Sequence, residues 1–320
     1  MSRLAELQKD LQEAAAAVAH AEKTLAAHPG VPSVIATLRT IETRRASLEE
    51  QFFAAADELG LDVCGYRIEL EGQTASISGL TSVLGTFQKI FTTVYDALEK
   101  GPKKTANWSA ESISATSFGF AYTFPGSVGV MMTLPNDRVL FESKLDEAMK
   151  KTFELMHASE PNEIQALTEV VGLPAIRFAH TWASENIKAG FGADITWRRD
   201  DVVKRELRVQ PLEIAQLESV LRNMKAREEV IVVGELFHLD LHEHTFRMQV
   251  MDKIIQGTFD KAISNQHPAQ LPKTYKATMN ISQKIVLDDS GEEQIDYFLL
   301  RLDPPDDPTV FLTDLSSRDS

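Results

Sequence analysis

The residues best suited to chemistry are three histidines and an aspartate in the C-terminal third of the chain. His238, Asp240 and His242 alternate along a predicted strand, and His244 lies in the next turn. Alternate strand residues point to one side of a sheet, so these imidazole and carboxylate groups could ligate a transition metal. Residues on one strand face lie about 6–7 Å apart, which suits two ligands to one ion better than three. We therefore treat His238, Asp240 and His242 as candidate metal ligands, with a solvated strand face or a pH-sensitive, partner-facing patch as the alternatives.

The other segments with catalytic residue types lack the spacing that their chemistry needs. Ser127 has a glycine two residues after it, but Pro125 stands where a nucleophile elbow requires the preceding glycine. Residues 100–105 close a predicted helix, whereas a phosphate-binding loop opens one. Cys64 is the only cysteine, which excludes intrachain disulfides and thiolate zinc clusters. The sequence therefore predicts no catalytic residue, no cofactor and a protein that is not an enzyme.

A basic segment at residues 197–208 is the second candidate site. It combines five bases and three acids with one tryptophan. If the bases share one face, they could contact nucleic-acid phosphates; a charged strand surface with local ion pairs is the alternative. The candidate contacts are Trp197, Arg198, Arg199, Lys204, Arg205 and Arg208.

The first 60 residues carry two apolar blocks in which the spacing alternates between three and four. Prolines and a glycine at residues 28–33 separate the blocks. This pattern predicts two helices in an antiparallel, coiled-coil-like hairpin. The hairpin either makes a homo-oligomer or docks a partner, or it folds back on its own chain. The candidate oligomer-interface residues are Leu4, Leu7, Leu11, Val18, Leu25, Leu38, Ile41, Leu48 and Phe52.

Residues 61–210 mix strands and helices without a repeating strand–helix–strand unit, which predicts an α+β domain. A helix over 211–224 links this domain to the C-terminal strands, with Pro211 in the first turn of the helix. The predicted elements of the domain are strands at 63–71, 193–197 and 202–209, helices at 80–99, 143–158 and 163–188, and a β-hairpin at 112–134 turning at 125–127.

Residues 225–303 read as five short strands with polar turns between them. Phe237, Leu239 and Leu241 alternate with polar residues, and Gly234 marks a bend. Short, strongly bent strands close into small barrels rather than leave their edges exposed. We therefore predict an SH3-like or OB-like β-barrel here, with an acidic disordered tail after it at 304–320.

Composition limits the classes of function. The net charge of −14 is concentrated at the C-terminus, where residues 288–320 hold ten acids and two arginines. An acidic pole opposes non-specific binding to nucleic acid and anionic membranes. No run approaches the roughly 20 apolar residues that cross a bilayer, and the charged N-terminus is not a secretory signal. We expect a cytoplasmic protein with no membrane partner.

Heptad seams, a barrel of binding type and no catalytic signature together favour a non-enzymatic, oligomeric binding or scaffold protein that acts on a protein partner. The first alternative is a nucleic-acid-binding protein that uses residues 197–208 and the barrel face. The second is a metal-dependent hydrolase around residues 238–244. In general architecture the chain resembles bacterial accessory proteins, including components of antiphage defence systems, which implies an accessory or sensor role.

Overall fold

The structure is a computed structural model that describes residues 2–70, 75–124, 128–136, 143–200, 202–260, 263, 271–284 and 295–305. The chain divides into two compact units, Met1–Arg222 and Asn223–Ser320. Both helices and strands are abundant, so the mixed α+β class predicted from the sequence is confirmed. In the described part of the chain, no helix is both long enough and apolar enough to cross a membrane.

Helices and strands alternate irregularly along the chain. The helices are α1 (Arg3–Ala27), α2 (Pro32–Glu58), α3 (Ile77–Lys100), α4 (Ala110–Thr116), α5 (Lys144–His157), α6 (Pro161–Ala189) and α7 (Pro211–Asn223). The strands are β1 (Leu61–Leu70), β2 (Gly119–Phe124), β3 (Val128–Pro135), β4 (Phe191–Arg199), β5 (Val202–Val209), β6 (Lys225–Asp240), β7 (Thr245–Val250), β8 (Lys253–Phe259), β9 (Lys273–Lys284) and β10 (Ile295–Asp303).

The first unit is built on an antiparallel sheet in the order β2-β3-β1-β4-β5. Strand alternation gives the sheet two faces. On one face Tyr66 packs edge-on against Phe87 of α3 and accepts a 2.9 Å hydrogen bond from Nε1 of Trp182 in α6. Trp197 of β4 lies on the same face, against Phe91 of α3. These fully buried aromatic rings fix the α3–α6 layer on the sheet.

The helical hairpin α1–α2 packs on the opposite face. Its inner end buries Leu7, Leu11 and Phe52 in one cluster with Val63 of β1 and with residues of β2 and β3. The ring of Phe52 lies 5.2 Å from that of Tyr122, edge to face. The predicted pair of helices is therefore present, and its inner half folds back on its own sheet.

The outer half of the hairpin is less covered. Val18 is buried, whereas the predicted interface residues Leu25, Leu38 and Ile41 are half-buried. Leu4 packs partly buried against the inner cluster, and Leu48 belongs to that cluster. The nine seam residues are thus divided between an anchored inner end and a less covered outer end.

The predicted β-hairpin at 112–134 is wrong in its first part, because α4 replaces the start of the first arm. Ser109 caps this helix by accepting a hydrogen bond from the backbone N–H of Ser112. The Ser112 hydroxyl in turn donates to buried Asp96 of α3 at 2.8 Å. These side-chain bonds favour a helix start over an extended chain. The second part, β2 paired with β3, is confirmed, and the predicted turn at 125–127 lies outside the described residues.

The helix predicted at 163–188 is present as part of α6 and is kinked at Gly172, which has φ 77° and ψ 165°. A Cβ atom there would lie 2.7 Å from the carbonyl oxygen of Lys103. Glycine therefore both supplies the backbone conformation and allows residues 102–103 to approach α6.

The second unit contains a closed five-stranded barrel in the order β10-β8-β7-β6-β9. Its interior is apolar, with Leu236, Phe246, Met248, Met279 and Leu299 buried. The predicted barrel is therefore confirmed as a closed β-barrel. The predicted tail at 304–320 lies, apart from its first two residues, outside the described residues.

Candidate binding grooves

A large groove opens on the barrel, where β8 and β10 meet. These two strands pair in parallel over residues 257–259 and 297–299. A Cβ atom on Gly257 would lie 2.0 Å from the carbonyl oxygen of Tyr297, so only glycine allows the strands to close here. Residues 253–256 of β8 pair with β7 on one side, and residues 295–296 of β10 pair with β9 on one side. No described strand pairs with the other edge of either segment. The resulting cavity, which we call the seam groove, has a volume of about 1020 Å³.

Strand register places polar side chains and one exposed ring around the seam groove. Arg247 of β7 stands beside Gln256 of β8, and Phe298 of β10 stands between Thr258 and Asn280. The residue Phe298 is 37% exposed. In the described part of the chain, no hydrogen bond joins the side chains of Arg247, Gln256 or Asn280 to another residue. The groove thus offers donors and acceptors together with an aromatic face.

The candidate metal ligands are not brought together. His238 is exposed at the groove, and the side chain of His242 is 93% exposed. The carboxylate of Asp240 instead accepts hydrogen bonds from the backbone N–H groups of His242 and Glu243, at 2.8 and 2.9 Å. The hydrogen bonds from Glu243 and His242 lower the pKa of Asp240. Within the described ranges, no three His, Cys, Asp or Glu residues form a group that could hold a metal ion.

His244 has a structural place at the same turn. It has φ 53°, and its ring packs edge-on against that of Phe259 at 5.5 Å. Its backbone carbonyl accepts a 3.0 Å hydrogen bond from the N–H of Phe259. His244 therefore supports the β6–β7 turn on the barrel core.

The six basic-segment residues lie on different faces. Trp197 is 1% exposed and belongs to the α3–α6 layer. Arg199 shares that face, whereas Arg198 lies on the hairpin face, 4.5 Å above the ring of Phe53. Of the three candidates on β5, Lys204 is exposed, Arg205 is half-buried, and Arg208 is exposed with a 2.6 Å ion pair to Glu69. Strand alternation thus separates the cations that a phosphate track would need together.

Arg199 serves an internal ion network. It donates two hydrogen bonds to buried Asp62, at 2.8 and 2.7 Å, and one to Asp146 at 2.8 Å. Nδ2 of Asn136 also donates to both oxygens of Asp62. Burial raises the pKa of Asp146, but hydrogen bonds from Arg199 and Ser143 outweigh it and hold that pKa below its usual value. The network joins the ends of β1 and β4 to the start of α5.

A second groove, which we call the arginine groove, lies on the hairpin face between α2 and the sheet, with a volume of about 260 Å³. Three guanidinium groups line it, from Arg45, Arg67 and Arg198. The Cζ atom of Arg67 lies 5.2 Å from the centre of the Phe124 ring. The Cζ atom of Arg198 lies 4.5 Å from the centre of the Phe53 ring. Such cation–π contacts hold a guanidinium plane while leaving its N–H groups for other acceptors.

One carboxylate lies among the three arginines. Glu49 is 4.0 Å from Nε of Arg45, and both side chains are about a quarter exposed. Burial raises the pKa of Glu49, and the charges of Arg45, Arg198 and Arg67 offset this only in part. The Nε atoms of Arg45 and Arg198 and the hydroxyl of Tyr122 are buried without a hydrogen-bond partner among the described residues.

The arginine groove was not predicted from the sequence, although two signals were present. Arg45 occupies a heptad seam position where an apolar residue is expected, and Gly65 interrupts an otherwise well-packed strand. A Cβ atom on Gly65 would lie 2.8 Å from Oγ1 of Thr196, so its absence leaves the groove floor open. Neither signal indicates a groove until β4 is known to pair with β1.

Comparison of the chain with protein-family models, with curated proteins and with solved structures gives no match. The two grooves and the hairpin are therefore the features from which a function can be inferred.

Proposed function

We propose that this is a non-enzymatic binding protein whose barrel, of the SH3-like or OB-like kind, takes an extended segment of a protein partner into the seam groove. The observation that carries the proposal is the groove beside β8 and β10, where no described strand pairs with β8 at residues 255–256 on the side of β10 or with β10 at residues 295–296 on the side of β8. Extended peptides add to such edges through main-chain hydrogen bonds, and nearby pockets select their side chains. Phe298 offers an aromatic contact of the kind that dominates interface energetics.

The charges of the seam groove support a peptide over a nucleic acid. Arg247 is the one cation on its described lining, and Asp296 the one carboxylate. Asp296 is itself paired with Lys225 at 2.6 Å. A nucleic-acid track needs an excess of cations along the backbone, and the chain as a whole carries a charge of −14.

Self-association through the outer half of the hairpin is the second part of the proposal. Half-buried Leu25, Leu38 and Ile41 continue the coiled-coil-like seam beyond the part anchored on the sheet. A second copy could cover them by lengthening the same apolar seam. From the sequence, the proposal also includes a cytoplasmic location and an accessory or sensor role in bacterial antiphage defence.

The seam groove is tested with peptides selected from a random displayed library on the full-length protein. We expect a selected peptide to slow amide hydrogen exchange at residues 253–256 and 295–296, because strand addition pairs those edges. Phe298→Ala should weaken binding about tenfold or more. Ile231→Ala is the matched control, since Ile231 is an apolar barrel residue, 61% exposed, that does not line the groove.

Two results would contradict peptide binding at the seam. One is an equal loss of affinity in the Phe298 and Ile231 variants. The other is binding of single-stranded DNA or RNA that displaces the peptide and weakens steeply with salt, which would favour the nucleic-acid alternative.

Self-association is tested by light-scattering mass of the full-length protein. Deleting residues 1–60 would uncover Tyr122 and Met131 on the sheet, so point substitutions at the outer seam are the sharper test. If the outer seam is an interface, Leu38→Glu and Ile41→Glu should lower the mass to that of a monomer, while Glu42→Gln, on the exposed face, should not. A monomeric wild-type protein would refute this part.

A further inference from the structure

The arginine groove contains more hydrogen-bond donors than the protein provides acceptors for. Within the described residues, Arg67 and Arg198 make no hydrogen bond to another side chain, and Arg45 has its single ion pair at 4.0 Å. A buried N–H without an acceptor destabilises the folded chain. Two of the three adjacent guanidinium groups, those of Arg45 and Arg198, have a buried Nε in this state among the described residues, whereas Arg67 is exposed and reaches the groove from its open side. These unsatisfied donors indicate that an acceptor comes from outside the chain.

We propose that the arginine groove binds a phosphate monoester, with the phosphate held by Arg45, Arg67 and Arg198 and the organic part against Met131 and Val203. Guanidinium forks match phosphate oxygens in pairs, and three of them surround a tetrahedral group better than a planar one. Thr196 adds a hydroxyl at the floor of the groove. The site is distinct from the seam groove and does not depend on the function proposed for it.

Charge supports phosphate over carboxylate. The lining has three arginines and two carboxylates, Glu49 and Asp194, which leaves one positive charge (3 − 2 = 1). The three guanidinium groups together carry more positive charge than a single carboxylate of −1 neutralises, whereas a phosphate monoester carries about −1.5 to −2 near neutral pH. Burial also raises the pKa of Glu49, which reduces the opposition of its carboxylate to a bound anion.

The size of the groove limits the ligand to a small molecule. A volume of about 260 Å³ is slightly below the range of roughly 300–1,000 Å³ that small-molecule sites occupy. A phosphate with one small ring or short chain fits, whereas several linked nucleotides do not. The exposed side of the groove at Val203, which is 40% exposed, gives a path for entry.

The groove also differs from a closed internal ion cluster. In the Asp62–Arg199–Asp146 network each charged group is held by hydrogen bonds of 2.7–2.8 Å. In the arginine groove the nearest cation–carboxylate distance among the described residues is 4.0 Å. Arg199 thus makes short hydrogen bonds to carboxylates within the protein. Among the described residues, the arginines of the arginine groove do not.

The test is isothermal titration calorimetry of the full-length protein with phenyl phosphate at pH 7.5, beside inorganic phosphate and benzoate. We expect saturable binding with one site per chain, tightest for phenyl phosphate. Arg198→Gln and Arg67→Gln should each weaken it about tenfold or more, since a hydrogen bond to a charged group is worth roughly that factor. Arg44→Gln is the matched control, because Arg44 is the exposed neighbour of Arg45 on the same helix and should change affinity less than about twofold.

Gly65→Val is a second variant that leaves all three arginines in place. Its side chain would occupy the space beside Oγ1 of Thr196 and should abolish binding by filling the groove. Urea midpoints of every variant identify those that are misfolded, and the conclusion is drawn from the folded ones.

The proposal is overturned by any of three outcomes. The first is no saturable heat with phenyl phosphate up to tens of millimolar. The second is an equal loss in Arg44→Gln and the groove variants, which would mean diffuse charge attraction. The third is tighter binding of benzoate than of phenyl phosphate, which would assign the groove to carboxylates.

Discussion

Replacing Arg199 with methionine removes the cation at the end of β4. This cation lies between the carboxylates of Asp62 in β1 and Asp146 in α5. Asp62 is 1% exposed and would keep side-chain hydrogen bonds from Asn136 alone among the described residues. Asp146 would lose its ion pair at 2.8 Å. The substitution keeps much of the side-chain volume, so the lost charge rather than a cavity determines the effect.

The magnitude follows from the burial of the pair. Removing one partner of a buried ion pair costs about 3–5 kcal/mol, because the other charge stays buried. The side chain of Arg199 is 14% exposed and Asn136 still contacts Asp62, which favours the lower end, about 3 kcal/mol. For a typical urea dependence of about 1–3 kcal/mol per molar, the unfolding midpoint should fall by roughly 1–3 M.

The assay is urea unfolding followed by tryptophan fluorescence. All three tryptophans, Trp108, Trp182 and Trp197, lie in the first unit, so the signal reports the unit that contains the network. Arg208→Met is the control, because its ion pair with Glu69 has an arginine side chain 68% exposed and such surface pairs contribute about 0–1 kcal/mol. Equal midpoint shifts in the two variants would refute the assignment of Arg199 to a stabilising buried network.

The same network predicts a pH dependence of known sign. The pKa of Asp146 is lowered in the folded protein, so its contribution is full above its unfolded pKa of about 3.9 and is lost as pH falls through the folded value. The difference in stability between wild type and the Arg199 variant should therefore narrow below about pH 4. A constant difference down to pH 2 would contradict the pairing.

Three further predictions concern other parts of the fold. Gly257→Val should force β8 and β10 apart and speed amide exchange in both strands, because its Cβ would lie 2.0 Å from the carbonyl oxygen of Tyr297; unchanged exchange would be inconsistent with the closure described. Phe52→Ala should cost about 3–5 kcal/mol in urea unfolding, whereas Phe120→Ala, at a side chain 60% exposed, should cost less than about 1 kcal/mol. Burial lowers the pKa of His180 despite its hydrogen-bonding contact with Glu218, so stability should fall as pH drops below about 6.5, and His180→Gln should make that fall shallower between pH 7.5 and 5.5.

Local patterns were sufficient to predict much of the fold. Strict alternation, as in Phe246 and Met248 of β7, predicted barrel strands because one face of each had to be buried. The seam spacing around Leu7 and Leu11 predicted the hairpin for the same reason. The start of the 112–134 segment was mispredicted because its helix depends on Asp96, a buried acceptor on a different helix, and a single segment does not reveal such a partner.

The candidate sites were harder to predict because they depend on strand register over long sequence separations. The strand predicted through His242 was too long, because β6 ends at Asp240 and His242 lies in the turn that follows. The carboxylate of Asp240 accepts hydrogen bonds from the backbone of that turn. The seam groove depends on Gly257, which lets β8 and β10 pair over residues 257–259 and 297–299 but over no other described residues. The arginine groove requires Arg45 and Arg198 to meet across the hairpin and the sheet. The heptad around Arg45 and the basic segment around Arg198 are separate local patterns, and neither indicates that the two residues meet.

Arg198 and Arg199 are sequence neighbours that should respond in opposite directions to the same substitution. Arg199 faces buried carboxylates and stabilises the folded chain, whereas Nε of Arg198 is buried without an acceptor among the described residues. Arg198→Met removes that unsatisfied group and loses a cation–π contact worth about 0.5–1 kcal/mol, so we expect the free protein to be unchanged or up to about 1 kcal/mol more stable by tryptophan-monitored urea unfolding. Residues kept for binding rather than for folding often carry this signature, in which removal improves stability and harms function. A destabilisation of Arg198→Met as large as that of Arg199→Met would show instead that the arginine groove holds the sheet and the hairpin together.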